Sequence, residues 1–495
     1  MKNTDLIEAI GLIDSKYVEE ASVEEQCVKN IRTKRHRHGV KFKKWMLAPI
    51  AVSLAVVIVL TNVFFAGPNA LLVTKVEALS LAEYPRMTKY PTMAESGDDY
   101  DSLHKQWESD IARQESYFGK ENEVKPFVKN SVSIFLSNTN GKNTVYSPLN
   151  TYMSLAMIAE ISEGNTRAQA MNALGCNSIE EVRTRANTLW NANYRNDGKV
   201  RSIIAGSVWL SDRSEYSVPT ANILADKYYA SVYTGKMGSD RYNEEYMAWI
   251  KDQTGNPMTE YMNGEPLHRD TVISISSTIS YEASWEYLFA DSRTKTGVFH
   301  TDNGNISCEY MNKIELYGSF YYGNNFTATS KELDESGSVY FILPNENVSV
   351  DELMNDDDLL EFIVSDGKWA NKEDAVIEIT VPKFDISSGL DLEDGFEKMG
   401  VTDCFDKDEA DFSGIVKDDN GENIYVTDAE HSVRVSVNED GCTGTAFTGV
   451  SVSGSVNSNK PEKTFRADRP FIFVITGADG LPLFVGVVHQ PTVSK

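Results

Sequence analysis

The sequence predicts an α+β protein with a large central β-sheet, two further sheets and about eight or nine helices, preceded by one transmembrane helix. Three observations carry this prediction. An uncharged apolar run extends from Met46 to Ala66. The C-terminal third alternates between apolar and polar residues in the manner of β-strands. A series of long motifs, given below, follows in order from Glu121 to Pro491 and implies the fold class itself.

The composition is typical of an ordered globular protein and excludes several functional classes. The 495 residues are 41% hydrophobic and carry a net charge of −26. Such acidity argues against nucleic-acid binding, which needs a basic surface. The cysteines are too far apart for a CxxC pair or a metal-ligand cluster; they are Cys27, Cys176, Cys308, Cys404 and Cys442. We therefore expect no disulfide framework, no metal site and no nucleic-acid partner.

The apolar run has the length of a membrane span. About 21 residues in a helix extend about 31 Å, which matches the hydrocarbon core of a bilayer. A cleavable signal peptide is the alternative, although a leader of about 45 residues is longer than an ordinary signal sequence has before its apolar core. Residues 1–44 carry 10 Lys/Arg and 7 Asp/Glu, a net +3, which leaves −29 for the rest of the chain. The positive-inside rule therefore predicts that residues 1–44 are cytoplasmic, that residues 45–66 span the cell membrane, and that the rest is extracellular.

Two segments flank this span. The leader has Leu6, Ile10, Ile13 and Tyr17 at helical spacing. This pattern predicts an amphipathic helix, which either binds a cytosolic partner or lies at the membrane. Residues 67–120 contain three prolines and an acidic, glycine-containing stretch, which predicts a stalk leading to a domain at residues 121–495.

The sequence contains no catalytic constellation. HExxH, GxSxG, P-loop and GxGxxG motifs are absent, and the seven histidines are not spaced as metal ligands. Asp406, Asp408 and Asp411 resemble part of a calcium loop, but the required Gly and the terminal Glu are missing. We therefore expect no enzyme activity and no cofactor.

The C-terminal third has the clearest strand patterns. Residues from His431 to Val437 alternate as a half-buried strand, with the histidine and three valines on one face. From Cys442 to Ser453 the alternation continues, with one face small and then apolar and the other mostly polar, and residues 454–459 are rich in Ser, Gly and Asn. This run is either a flexible surface hairpin or a segment that can become a strand. Beyond it, Phe471–Ile475 and Leu483–Val488 flank an Asp-Gly turn, which predicts an apolar hairpin.

The motifs along the chain resemble those of the serpins, a superfamily of serine protease inhibitors. Tyr146–Gly175 resembles the family's S-P-x-S…LAM…G-A-x-G-x-T segment, and Trp249 with Thr254-Gly255 resembles W-x-x-x-x-T-x-G. Val381–Phe384 matches the L-P-K-F strand, and Phe465–Pro491 is close to the signature F-x-A-D-x-P-F-x-F-x-I…G-x-x-x-F-x-G. The resemblance implies the serpin fold, with three β-sheets and an exposed reactive-centre loop, in a bacterial, membrane-anchored member of the family.

The resemblance also implies where the parts of the insertion mechanism lie. Lys383 would pair with Glu439 beside Trp285 in the breach, where the central sheet opens. Three residues would form the shutter, a polar network beneath the strands that must part; they are Ser147, Asn150 and His431. The loop would begin at a hinge formed by Glu439, Asp440, Gly441, Cys442, Thr443, Gly444, Thr445 and Ala446.

The residues of this loop meet the physical requirements of insertion. In the family, a protease forms an acyl-enzyme with the loop, and the cut loop then inserts into the central sheet as a new strand. No proline and no charge lie between Gly441 and Ser455. The alternate residues that would turn inward are all small; they are Cys442, Gly444, Ala446 and Thr448. Inhibition is therefore physically allowed.

The sequence also departs from the family pattern. Cys442 stands where the hinge favours Thr or Ser, and Gly444–Phe447 stand where a run of alanines is usual. Ser277 replaces an Asn and Asn150 replaces a Ser in positions that line the shutter. We therefore expect a rewired polar network there.

The bait residue follows from counting along the loop. The family's usual spacing from Glu439 puts the scissile bond after Ser455 and before Val456, whereas counting back from the following strand gives Asn459; Val452 is a further alternative. None of these is Arg, Lys or aromatic, so a protease with an acidic or a deep aromatic S1 pocket would gain little. We expect a serine protease of elastase or subtilisin type as the partner, with a cysteine protease as the other class that the resemblance allows.

Two functions stay open at this point. One is a monomeric suicide-substrate inhibitor anchored on the outside of a bacterial cell. The other is a non-inhibitory serpin-fold module that binds or protects at the cell surface, and whose loop is bound or cleaved without inserting. A covalent complex with a protease distinguishes the first from the second.

Overall fold

A computed structural model of the chain describes residues 77–119, 121–254, 267–418, 424–427, 429–442 and 460–491. All of these residues belong to one unit of the chain, which begins at Lys75. The predicted leader, residues 1–44, and the predicted transmembrane helix, residues 45–66, lie outside the described residues. Within the described ranges, no helix is both long and apolar enough to cross a membrane.

The described residues form eleven α-helices, nine of which lie within the predicted domain. The helices are α1 (Met93–Ser96), α2 (Tyr100–Glu115), α3 (Lys125–Leu136), α4 (Pro148–Ile161), α5 (Gly164–Ala173), α6 (Ile179–Asn193), α7 (Val218–Tyr228), α8 (Asp240–Thr254), α9 (Val350–Leu353), α10 (Asp357–Ile363) and α11 (Glu393–Lys398). Short 3-10 turns occupy Gly97–Asp99, Glu121–Glu123, Asp291–Arg293 and Asp403–Phe405. Serine side chains begin three of the long helices, because the hydroxyls of Ser147, Ser178 and Ser217 each accept a backbone N–H of the first turn.

The strands of the described chain form sheets of eight, nine and two strands. The strands are β1 (Glu77–Ser80), β2 (Thr144–Tyr146), β3 (Arg195–Asn196), β4 (Arg201–Ser211), β5 (Glu215–Tyr216), β6 (Ala230–Gly235), β7 (Ile273–Ser284), β8 (Lys295–Thr301), β9 (Gly304–Tyr322), β10 (Phe326–Glu332), β11 (Ser338–Pro344), β12 (Lys372–Pro382), β13 (Phe384–Asp391), β14 (Val416–Asp418), β15 (Glu430–Val437), β16 (Gly441–Cys442), β17 (Glu462–Arg466), β18 (Phe471–Thr476) and β19 (Pro482–Val488).

The eight-stranded sheet is the predicted central sheet. Its order is β1-β6-β4-β7-β16-β15-β13, with β3 beside β4. β7 runs antiparallel to β4, from the Leu210–Ile273 pair to the Arg201–Glu282 pair, and β15 runs antiparallel to β13. The predicted alternation of β15 is confirmed, since its valines are buried. The end of β7 at Ser284 meets β16, so we refer to it as the hinge end of the sheet.

The nine-stranded sheet and one buried helix complete the core. The sheet has the order β17-β12-β9-β10-β11-β18-β19-β2, with β8 beside β9. β18 and β19 form the predicted apolar hairpin, and every residue of both strands is buried. Helix α4 is apolar around most of its circumference and contacts both β7 and β19, so it lies between the two large sheets.

The structure differs from the sequence prediction over residues 67–120, which were predicted to be a stalk. The described part is folded onto the rest of the unit, because β1 pairs with β6 at the edge of the central sheet and α2 packs along α6. Tyr84 lies over Trp190 with ring centroids 5.2 Å apart, and Gln114 Nε2 donates to Ala192 O at 2.9 Å. The partner strand of β1 is far along the chain, so the local prolines and acidic residues give no sign of this packing.

One buried ion pair joins three helices behind the central sheet. Glu160 of α4 is only 2% exposed, and Arg183 of α6 donates to both of its carboxylate oxygens at 2.7 and 2.8 Å. The hydroxyl of Tyr228 in α7 donates to the same carboxylate at 2.8 Å. A bidentate pair with a third donor fixes the relative positions of α4, α6 and α7.

Replacement of Arg183 by Met should lower the free energy of unfolding by about 3 kcal/mol, because it leaves the Glu160 carboxylate buried without a counter-charge. The measurement is the urea unfolding midpoint at neutral pH. Adding Glu160→Gln to this variant should restore most of the loss. An equal loss in the single and double variants would contradict this account.

Candidate functional site

The candidate site is the junction of β7, β16 and β15, which we call the seam of the central sheet. Gly441 pairs with Ser284, and Cys442 pairs with Ala283 of β7 on one side and with Val437 of β15 on the other. Among the described residues, β16 is what joins the two longer strands. The residues that the sequence assigns to the start of the hinge therefore already occupy a strand position.

A tight turn brings the chain from β15 into β16. The side-chain oxygen of Asn438 accepts the backbone N–H groups of Asp440 and Gly441 at 2.9 and 3.2 Å, and Asn438 N–H donates to Gly441 O at 3.0 Å. A β-carbon on residue 441 would collide with the carbonyl oxygen of Ala283. Glycine is required at this position because the backbone of β7 approaches so closely.

The predicted breach residues lie together at the turn between β15 and β16. Lys383 Nζ is 3.4 Å from Glu439 Oε1 and 2.9 Å from Glu309 Oε2. The indole N–H of Trp285 donates to Asn438 O at 2.8 Å, and its backbone N–H donates to Asp440 O at 2.9 Å. The contacts of Trp285 and Lys383 thus reach three consecutive residues of the turn that begins the hinge.

The two carboxyl groups of the turn, Glu439 and Asp440, have pKa values shifted in opposite directions. Burial on its own would raise the pKa of Glu439, but the hydroxyl of Thr294, which donates at 2.6 Å, and the ammonium of Lys383 outweigh it, so the pKa lies below the usual value. Burial, with the nearby carboxylates of Asp291 and Glu439, raises the pKa of Asp440. Glu439 is therefore the anion that the breach is built to hold.

The predicted shutter residues also lie together, further along β7 and β15 from the hinge end. The backbone N–H of Ser147 donates to His431 Nε2 at 3.0 Å. Asn150 Nδ2 donates to the carbonyl oxygen of Ser277 at 3.2 Å, and the Ser277 hydroxyl donates to Asn150 Oδ1. Ser277 belongs to β7 and His431 to β15, so Asn150 of α4 faces both strands. The two departures from the family pattern, at 150 and 277, are thus in direct contact with each other.

The protonation state of His431 follows from its neighbours. Since Nε2 accepts a backbone N–H, the neutral ring carries its proton on Nδ1. The side chain is 2% exposed, and burial lowers its pKa to about 3. A protonated ring would also oppose one N–H to that of Ser147, so the shutter needs the neutral form.

Several predicted site residues lie outside the described residues. They are the hinge residues Thr443, Gly444, Thr445 and Ala446 and the bait candidates Val452, Ser455, Val456 and Asn459. Three further residues of the site were not predicted from the sequence. Thr294 contacts Glu439, Glu309 contacts Lys383, and Asn438 closes the turn into β16. Their partners are distant in the chain or depend on a backbone turn, so a single sequence carries no signal for them.

Comparison with known proteins identifies the class and then the family. An α+β unit whose central sheet takes up the start of the following segment as an extra strand is the arrangement of the inhibitors that insert their reactive loop. The family model for serpins, serine protease inhibitors, matches residues 127–491, and the chain belongs to this family. The membership predicted from the motifs is confirmed. The family is described as one of serine protease inhibitors.

Relatives and structural neighbours agree with this assignment. The chain is 25% identical to Serpin-ZX of Arabidopsis thaliana over 366 residues, which cover 70% of this chain and 92% of that protein. It is 26% identical to a serpin-like protein of Methanosarcina mazei over 71% of this chain and 82% of that protein. The native state of the thermophilic serpin tengpin matches with a TM-score of 0.65 and 25% identity over 74% of this chain and 94% of tengpin. Human thyroxine-binding globulin in complex with thyroxine shares the fold, with a TM-score of 0.67 and 19% identity over 76% of this chain and all of that one.

The stability of the domain should depend on pH through His431. Its folded pKa is below its unfolded pKa, so its contribution is full above about pH 6.5 and is lost as the pH falls toward 3. Between pH 7 and pH 5 this loss should be about 2 kcal/mol. Thermal unfolding of the wild type and of His431→Gln at both pH values gives the measurement. The variant should lose less stability over this interval; an identical loss in both proteins would show that His431 does not titrate as described.

Proposed function

We propose that this serpin is a suicide-substrate inhibitor of serine proteases of elastase or subtilisin type, cut between Ser455 and Val456. The observation that carries the proposal is the pairing of Gly441 and Cys442 within the seam. A sheet that already accepts the first two residues can extend the same strand through the small, uncharged residues that follow in the sequence. The small residues around the proposed bait select a protease with a small S1 pocket.

The contacts of the breach and of the shutter support this mechanism. The single Lys383–Glu439 contact at 3.4 Å and the neutral shutter contacts of Asn150 are weaker than a bidentate buried pair. When the Lys383–Glu439 contact breaks, Lys383 keeps the carboxylate of Glu309 and Glu439 keeps the hydroxyl of Thr294. In this proposal the breach opens first, beside the hinge, and the shutter follows as the strand extends.

The second candidate is a non-inhibitory binding module. Human thyroxine-binding globulin has the same fold and is known in complex with thyroxine, so the fold also serves binding. The loop of this chain carries glycines at 444 and 449, which raise the entropy lost on ordering. Protease reactions separate this candidate from the inhibitor.

Mixing the protein with elastase or subtilisin should yield a band of summed mass on denaturing gels, because the acyl-enzyme is trapped when the loop inserts. Mass spectrometry of the released peptide should give Val456 as its first residue. Trypsin serves as the comparison enzyme and should form little complex. Cleavage by all three enzymes without any adduct would favour the binding module.

A matched pair of loop variants tests insertion itself. Ala446→Glu puts a charge on the inward face, whereas Thr445→Glu puts the same charge on the outward face. Because an unpaired buried charge costs several kcal/mol, Ala446→Glu should raise the ratio of cleaved to complexed protein by about tenfold or more. Thr445→Glu should leave this ratio close to that of the wild type. Equal behaviour of the two variants would contradict insertion in this register.

We also propose that residues 45–66 anchor the protein in a bacterial cell membrane, with residues 1–44 in the cytoplasm and the serpin domain outside. The support is the charge-free run behind a basic cluster. An extracellular domain held at the surface would meet secreted proteases before they reach other surface proteins.

The proposed orientation can be measured with a thiol reagent that does not cross membranes. Cys27 lies in the proposed cytoplasmic leader, and Met93 is 71% exposed on the folded unit. In intact cells, Met93→Cys should be labelled within minutes, while Cys27 should react only after permeabilisation. Labelling of Cys27 in intact cells, or recovery of the protein in the soluble fraction, would overturn the proposed anchoring.

A further inference from the structure

The N-terminal segment 77–119 precedes the residues matched by the serpin model, and Trp107 makes one of its buried polar contacts. The indole N–H of Trp107 in α2 donates to Asp197 Oδ2 at 2.8 Å. Asp197 is fully buried, and Arg195 Nε donates to the same oxygen at 2.7 Å. Its other oxygen accepts the backbone N–H groups of Lys199 and Val200 at 2.9 and 2.8 Å. This carboxylate therefore joins the N-terminal segment to the connection between β3 and β4.

Arg195 carries the contact onward to a second turn. Its Nη1 group donates to the carbonyl oxygen of Glu335, which lies between β10 and β11. Lys199 makes a parallel link, with Nζ 3.0 Å from Asp334 Oδ2. Both cations thus hold the turn of residues 333–337 against the start of β4.

The same turn holds the hinge end of β7. The backbone N–H of Asp334 donates to Ser284 O at 2.8 Å, and the hydroxyls of Tyr281 and Ser336 share a hydrogen bond of 2.8 Å. Ser284 and its neighbour Ala283 are the residues of β7 that pair with Gly441 and Cys442. A continuous set of hydrogen bonds therefore runs from Trp107 to the seam.

We propose that Trp107, Asp197 and Arg195 are positioning residues for the hinge, through which the N-terminal segment controls how readily Gly441 and Cys442 leave the central sheet. The effect of these residues on inhibition rests on the proposed function, whereas their effect on the opening of the β16 pairs does not. Each member has a separate reason to be where it is: Trp107 supplies a neutral donor, Asp197 a buried acceptor, and Arg195 donors in two directions. Loss of any one of them weakens this link to the turn of residues 333–337, which Lys199 also contacts, and so loosens the last residues of β7.

The buried thiol of Cys442 reports directly on the hinge. Its side chain is 2% exposed, so a thiol reagent reaches it only when the β16 pairs open. In the full-length protein, Trp107→Phe removes the indole donor and keeps an aromatic ring. The rate at which N-ethylmaleimide labels Cys442, followed by peptide mass spectrometry, should rise about fivefold. Cys176 and Cys404, which are also buried, should keep their rates.

Trp369→Phe is the matched control, because Trp369 also loses an indole hydrogen bond, to Tyr322 O at 2.9 Å, away from the seam. It should leave the labelling of Cys442 unchanged. Arg195→Lys provides a second test, since one ammonium cannot serve both Asp197 and Glu335, and it should act as Trp107→Phe does. An unchanged rate at Cys442, or equal acceleration at all three cysteines, would overturn the proposal. Because labelling needs no protease, this result is independent of whether an inhibitory complex forms.

Discussion

The seam between β7 and β15 is the constraint on which the other features depend. Buried backbone groups must have hydrogen-bond partners, so two strands can stay separated only where a third lies between them. Gly441 and Cys442 supply that third strand at the hinge end. The breach contacts of Trp285 and Lys383 fix the turn that delivers these two residues, and the shutter contacts of Asn150 face both long strands further down. Packing of α4 between the sheets keeps these contacts in register.

The polar contacts between the helices and those at the seam differ in strength. The Glu160–Arg183 pair is bidentate and buried, so its loss leaves a charge without compensation, and the helices it joins stay together. The contacts at the seam are single, mostly neutral, or partly solvated, as between Lys383 and Glu439. A domain that must open along one line and remain rigid elsewhere needs this difference in strength.

Much of this arrangement could be predicted from the sequence, and the limits have physical reasons. The strand from Glu430 to Val437 and the hairpin at the C-terminus follow from local periodicity, which a single sequence displays. Long motifs led to the family. The fold of residues 77–119 was missed, because β1 has no local partner and Trp107 finds its acceptor in a residue 90 positions later. Thr294 and Glu309 were missed for the same reason, since their roles exist only once the breach is assembled.

The chemistry of Cys442 follows from its place in the seam. Burial raises the pKa of its thiol, which suppresses the nucleophilic thiolate and leaves a small apolar side chain between two strands. A serine or threonine at this point would need a hydrogen-bond partner, whereas a thiol carries little penalty when it has none. Cys442 therefore suits a position in β16 that can pair with β7 and β15 and also withdraw from them. Its reactivity is low while the hinge is paired and can rise only when the strand withdraws, so the state of the sheet sets the state of the thiol.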